Sequence, residues 1–393
     1  MNEPDRSHRV LEVAGLFLKL GVLSFGGPAA HIALMETEAV RKRGWLSHEQ
    51  FLDLVAATNL VPGPNATEMA IHIGYLRAGW LGLVVAGVVF ILPAAVTSGI
   101  LAWAYVAYGT LPQIQAVFWG INPVVVAIVL VACWRLGRAS VKEWKGHSLV
   151  VPLLLLAAGV AGAFLGVDQV VILLGAGGIG LLLYFLPRFR SSTRLLAFAP
   201  WPLPLVATLG STTPTGPVSL LALGLFFLKV GALLFGSGMV LFAFIQRDIV
   251  TNLGWMTQQQ LVDAIAVGQM TPGPVLSSVT FIGYLLGGWP GAAVSTVAVF
   301  LPSFIIMAVV GPWLPRLRRW PPAGAFLRGV NVAVVALMLV MAAVLLRSAV
   351  VDVWTALFGL GALVLLLRFR ADAIWLILGG AALGLVRYLV LRA

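Results

Sequence analysis

The sequence predicts an all-α polytopic membrane protein built from two inverted-topology repeats, each with about five crossings and a re-entrant Pro-Gly-Pro segment. Three observations predict it. The 393 residues are 60% hydrophobic and 10% charged, with a mean hydropathy of +1.01, which leaves no room for a sizeable soluble domain. A long series of motifs occurs twice in one register. The positive charge of equivalent loops changes places between the two copies.

The repeat starts with Phe17-Leu18-Lys19-Leu20-Gly21, matched by Phe227-Leu228-Lys229-Val230-Gly231 at an offset of 227 − 17 = 210. That offset holds through Gly44-Trp45 against Gly254-Trp255 and Asp53 against Asp263. It also pairs Val61-Pro62-Gly63-Pro64-Asn65-Ala66-Thr67-Glu68 with Thr271-Pro272-Gly273-Pro274-Val275-Leu276-Ser277-Ser278. One residue is then lost. At an offset of 209, Gly74-Tyr75 meets Gly283-Tyr284, Gly79-Trp80 meets Gly288-Trp289, Asn122 meets Asn331 and Arg138 meets Arg347. Coincidence of Trp, Pro and Asn in one register marks an internal duplication. Residues 1–187 form the first repeat, 188–217 a Ser/Thr/Pro-rich linker, and 218–393 the second repeat.

Each half holds six apolar segments: 13–34, 51–75, 79–108, 113–134, 148–166 and 168–186, then 219–245, 261–284, 288–314, 324–346, 349–366 and 373–390. Most approach the ~20 residues of a crossing helix. The two Pro-Gly-Pro segments do not, because proline has no N–H to give and clashes with the preceding turn. Such a break is tolerated at membrane depth only where protein or a wet cavity surrounds it. A matched pair of breaks is a pointer to a transporter's binding site.

Loop charge sets the parity. In half one, Tyr108–Pro112 is uncharged and the next loop holds Arg135, Arg138, Lys142 and Lys145. In half two the earlier loop carries Arg316, Arg318 and Arg319, and the later one only Arg347 against Asp352. Asp168 against Arg368 and Arg370 repeats the exchange. Positive residues stay inside, so the halves lie in opposite senses and each has an odd number of crossings. This places the N-terminus outside, Arg41-Lys42-Arg43 inside and the C-terminus outside.

Composition excludes several classes. The polar start lacks a cleaved signal pattern. Cys133, alone, excludes an internal disulfide and a cysteine metal cage. The net charge of +11 sits in short clusters between apolar spans, which suits cytoplasmic loops and not a nucleic-acid surface. With no Walker loop, dinucleotide fingerprint or nucleophile elbow, transport runs on a gradient, with no cofactor and no resident metal. The expected partners are the bilayer, a small anion and, for a homodimer, a second copy of the chain.

The candidate site residues follow from the repeat. Lys19 and Lys229 occupy one repeat position inside apolar segments; they either snorkel to an interface or approach one dianion from opposite leaflets. Gly26 and Gly27, and Gly236 in the second copy, permit close backbone approach, as plain helix packing also requires. With Gly63 and Gly273 they bring four half-helix ends toward the membrane centre, where helix N-termini bind anions. Asn65, Thr67, Ser277 and Ser278 follow the breaks as donors or N-caps. His31, Glu36, Glu68 and His72 have no ionisable counterpart in half two and are the proton-coupling candidates. Glu68 and His72 share a helix face, which equally describes a stabilising pair near the aqueous rim. A passive anion channel is one alternative. An intramembrane enzyme on lipid-linked substrates is another, but it wants clustered aspartates or a histidine constellation, and the sequence has neither.

Phe25-Gly26-Gly27-Pro28, Gly44-Trp45, Pro62-Gly63-Pro64 with Gly74-Tyr75, and their second-half copies resemble the chromate ion transporter family in its long, two-domain bacterial form. The resemblance covers essentially the whole chain. It implies a multi-pass protein of the bacterial inner membrane that is not an enzyme, exports chromate with sulfate as the related oxyanion, and confers chromate resistance. The chain departs from the pattern at Gly236-Ser237-Gly238 and at Val275, which stands where half one has Asn65. The second edge of the site is therefore expected to contribute less.

Overall fold

A computed structural model of the protein describes residues 3–24, 28–59, 61–144, 149–189, 218–235, 238–311, 320–369 and 371–392. Gly26, Gly27 and Gly236 lie outside the described residues, as do positions 190–217 of the linker. Half one comprises α1 (Glu3–Leu23), α2 (Pro28–Met35) widening into a π-helical turn Glu36–Lys42, α3 (His48–Thr58), α4 (Asn65–Tyr108), α5 (Pro112–Glu143), α6 (Val150–Phe164) and α7 (Gln169–Phe189). Half two comprises α8 (Leu220–Ala232), α9 (Val240–Phe244) widening into Ile245–Asn252, α10 (Gln258–Met270), a 3₁₀ turn Val275–Ser277, α11 (Ser278–Val310), α12 (Pro321–Ala349), α13 (Val353–Arg368) and α14 (Ala373–Arg392).

Repeated sequence gives repeated local structure. Ser47 accepts the Gln50 N–H while the Gln50 side chain accepts the Ser47 N–H, starting α3; Thr257 and Gln260 start α10 in the same way. The π-helical turns recur at matching positions. So does a kink inside the long helices, at Ala78–Gly79 in α4 and Gly287–Gly288 in α11.

The protein is a polytopic helical membrane protein. Among the described residues six helices are long and apolar enough to cross a bilayer, three per half: α4, α5 and α7, then α11, α12 and α14. Shorter apolar helices α6, α8 and α13 accompany them. On α4, Val84, Val88, Leu92, Val96 and Ile100 form a stripe of half-exposed apolar side chains. A stripe of that length at one-turn spacing faces lipid, whereas Ala86, Phe90, Ala94 and Ser98 on another face are buried.

The first segment of each half departs from expectation. Residues 13–34 and 219–245 do not cross; each turns back. Lys19 on α1 reaches Glu38 on the returning π-helical turn at 2.8 Å, and Lys229 reaches Asp248 at 3.3 Å. Glu12 binds Arg77 at 2.6 Å, and the guanidinium groups of Arg77 and Arg43 lie over the Trp45 ring at 5.1 and 5.5 Å. The start of α1, the loop at Arg43 and the end of the first part of α4 therefore share one face. The N-terminus lies on the side of Arg41–Arg43, not opposite it. Charges at Glu12 and Lys19 leave too short an apolar run for a crossing. Among the described residues each half therefore offers three helices of crossing length, α4, α5 and α7 or α11, α12 and α14, with the shorter apolar α6 or α13 between the last two.

The halves interlock. α5 packs on α13 and α14, and α12 packs on α6 and α7. Small residues allow backbone contact there: a Cβ built on Gly120 would fall 2.0 Å from the Gly380 carbonyl, and one on Gly329 2.0 Å from that of Ala176. Equivalent helices run antiparallel. On α4 and α11, Gly87 lies by Phe304 and Gly99 by Trp289; on α5 and α12, Gly137 lies by Val335 while Glu143 accepts a hydrogen bond from Asn331. That last bond ties α12 to α5 through side chains.

Candidate functional site

Each break begins where its helix runs out of donors. Thr58 turns its hydroxyl back to the carbonyls of Leu54 and Val55, and α3 stops. Gly63 has φ +150° and Gly273 φ +91°, conformations that a side chain would strain. Pro64 then opens α4, accepting the N–H groups of Thr67 and Glu68 at 2.7 and 3.1 Å. The amides of Asn65 and Ala66 are left at the open end of the helix.

The two breaks are seated reciprocally. Gly63 N–H donates to the Leu234 carbonyl at 2.6 Å, and Gly273 N–H donates to the Ser24 carbonyl at 2.8 Å. Ser24 and Leu234 are equivalent (24 + 210 = 234), each at the tip of a first hairpin. Each break is thus held by the other half.

Between the breaks lies a cavity of about 80 Å³, lined by Pro28 and Gly238, by Pro64–Ala66 and Pro274–Leu276, and by His31. These are four repeat-related pairs plus one asymmetric histidine. The starts of α2 and α4 meet there with the 3₁₀ turn Val275–Ser277 and Gly238. A small anion set among such ends meets amide hydrogens and partial positive charge without a cationic side chain.

Polar groups behind this lining are unequally shared. Glu68 is fully buried, and neither carboxyl oxygen has a hydrogen-bond partner among the described residues. It packs against the Cα side of Gly63 together with the Ser303 hydroxyl, which is also unpartnered. The equivalent surroundings of Gly273 hold Ala94 instead. Among the described residues the buried Thr67 and Ser278 hydroxyls have no partner; Ser277 approaches Thr271 at 3.4 Å and Ser98 at 3.5 Å. Asn65 donates to Asn59. His31 Nε2 meets the Ser24 carbonyl at 3.2 Å, joining the cavity wall to a hairpin tip.

Other expected residues fall elsewhere. Lys19 and Lys229, expected as anion ligands, do not line the cavity. Glu36 pairs with the exposed side chains of Arg41 and His48 at 3.1 and 3.3 Å and does not line the cavity. His72 stacks edge-on to Tyr75 and lies beside Gly311, one turn beyond Glu68. Sequence reasoning missed Glu38 and Asp248, although 38 + 210 = 248 was readable, and it missed Ser303.

The lysine pairs differ in their support. Glu38 also binds Lys42 and Arg43, both at 2.9 Å, whereas Asp248 has Lys229 as its directly paired cation. Lys19→Ala is therefore expected to cost under about 1 kcal/mol. Lys229→Ala strands a largely buried carboxylate and is expected to cost roughly 2 kcal/mol. Unfolding temperatures of the two variants in detergent check the order. Glu38 also gives an acid limit. The Lys19 ammonium, then that of Lys42, holds its carboxyl down from an ordinary 4.5 to about 2, against burial that raises it. A depressed pKa stabilises fully above the ordinary value and is lost as pH falls toward 2. Between about pH 5 and about pH 3 the wild type is expected to lose more stability than Glu38→Gln, which has no such charge to lose.

Comparison with known proteins gives the same picture of a two-half chain. The family described as Chromate transporter matches residues 11–181 and 221–385. The chain belongs to the chromate transporter family. It is 35% identical over 380 residues to a chromate transport protein of Cupriavidus metallidurans, covering 96% of this chain and 92% of the relative. It is 34% identical over 361 residues to a probable chromate transport protein of Synechococcus elongatus, covering 91% and 90%. An uncharacterized transporter of Bacillus subtilis matches over 143 residues at 31% identity, 36% of this chain but 80% of that protein. No solved structure matches this member of the family.

Proposed function

We propose that the protein exports chromate, or a related tetrahedral dianion such as sulfate, across the bacterial inner membrane by alternating access around the central cavity. The observation that carries this reading is the meeting of repeat-related chain ends at one small cavity, with each Pro-Gly-Pro break bonded to the other half. Amide ends hold the dianion; the lysines brace the hairpins that carry those ends. Antiparallel packing of equivalent helices supports two repeats related by an axis in the membrane plane, so the cavity can open to either side by exchanging equivalent conformations.

Charge supports the direction of insertion. Arg41, Lys42, Arg43, Arg77, Arg138, Lys142 and Arg368 gather on one face, whereas Arg247, Arg347 and Arg387 on the other are offset by Asp168, Asp248 and Asp352. The basic face is cytoplasmic under the positive-inside rule. On this reading the N-terminus is inside and the C-terminus outside. Arg387, which pairs with Asp352 at 3.5 Å, then sits without conflict on the outer face. Glu68 is the coupling group, carrying a proton beside the break. Counter-flow of labelled chromate and sulfate in proteoliposomes tests the whole reading. Saturable exchange that responds to an imposed pH gradient is expected; unsaturable conductance without counter-flow would replace the carrier by a passive channel.

A further inference from the structure

We propose that the groove between α5, α6 and α12 binds one anionic phospholipid of the leaflet nearest Arg138 and Lys142. The groove has a volume of about 620 Å³. Its walls are apolar, with Leu130 on α5, Leu156 on α6 and Leu339 on α12, and it opens toward lipid where Leu153 and Trp134 are each 57% exposed. At one end stand Arg138 and Lys142, both exposed and one turn apart on α5. The Arg138 guanidinium lies 5.6 Å over the Trp134 ring, holding it at the groove mouth. Neither cation has a carboxylate partner among the described residues. Glu143, close in sequence, faces α12 instead, accepting from Asn331 at 3.1 Å. Two uncompensated cations above an apolar slot are complementary to a phosphodiester with its acyl chain below.

The second half sharpens the argument, because the duplication did not keep this feature. In the repeat register Gly137 corresponds to Leu346, Trp134 to Ala343, Arg135 to Val344 and Lys142 to Val351, and only Arg138 has a basic equivalent, Arg347. Gly137 is not required by close helix packing. A Cβ there would meet Val335 at an ordinary 3.6 Å. Its missing side chain keeps the groove floor open, and the unpaired cations select an anionic lipid over a zwitterionic one or a second copy of the chain.

Native mass spectrometry of the purified full-length protein, titrated with phosphatidylglycerol or phosphatidylcholine, tests the site. The wild type is expected to retain one phosphatidylglycerol with a preference of roughly thirtyfold, the product of two basic side chains at a membrane surface. The Arg138→Gln/Lys142→Gln double variant is expected to lose the preference, and Arg138→Lys to keep it. Gly137→Leu, which installs the residue of the other half, is expected to lose bound lipid of both kinds, while Arg347→Gln behaves as wild type. Equal retention of both lipids by the wild type overturns the proposal, as does an unchanged preference in the double variant. A dimer that Gly137→Leu dissociates also overturns it and assigns the groove to a second copy.

Discussion

Gly63→Ala is expected to lower chromate counter-flow on the order of a hundredfold, the scale of effect that follows when a binding constellation shifts by an ångström. The argument has two parts. At φ +150° any side chain is strained, by about 1–2 kcal/mol. The added methyl would also fall 2.1 Å from Glu68 Oε1 and 2.7 Å from Ser303 Oγ, so the break or the carboxyl must move. Moving the break lengthens the 2.6 Å bond from Gly63 N–H to Leu234 and displaces the Asn65 and Ala66 amides. Gly273→Ala meets the same kind of strain, but its methyl would only approach Ala94 Cβ at 3.0 Å. Its loss is expected to be about tenfold. Equal losses in the two variants, or the larger one in Gly273→Ala, would remove Glu68 and Ser303 from the account.

Glu68→Gln separates binding from coupling. Glutamine has nearly the shape of a protonated glutamate, so the fold and the cavity are expected to persist, with an unfolding temperature near that of the wild type. A buried carboxylate with no partner is costly, so Glu68 sits at its place either carrying a proton or facing an approaching cation. The substitution is therefore expected to leave chromate counter-flow intact while accumulation driven by a pH gradient falls to the level of protein-free vesicles. Full gradient-driven accumulation by Glu68→Gln would exclude this carboxyl as the coupling group.

Much of this was legible in the chain. The register that pairs Lys19 with Lys229 and Gly63 with Gly273 survives in the structure as repeated caps, repeated kinks and reciprocal bonds. The positions of the two breaks followed from where prolines and glycines interrupt apolar runs. The role of the lysines was not legible, because a side chain's partner depends on which strands of chain lie side by side. Glu38 is 19 residues from Lys19, and an apolar segment of that length reads as a crossing unless its turn is recognised. Ser303 was hidden for a similar reason. It approaches Gly63 only through antiparallel packing of α4 on α11, and no local pattern in α11 points to it.

The exchanged bonds, Gly63 to Leu234 and Gly273 to Ser24, carry a consequence for how such a molecule can exist at all. Neither half owns a complete receptacle. A solitary half would present one unmet donor and one unmet acceptor in the lipid interior, and would hold its interrupted helix in place only beside a twin inserted upside down. Fusing the twins into one polypeptide makes that upside-down companion permanent, and it frees each copy to drift, so that one could acquire a lone acid while the other kept only its frame.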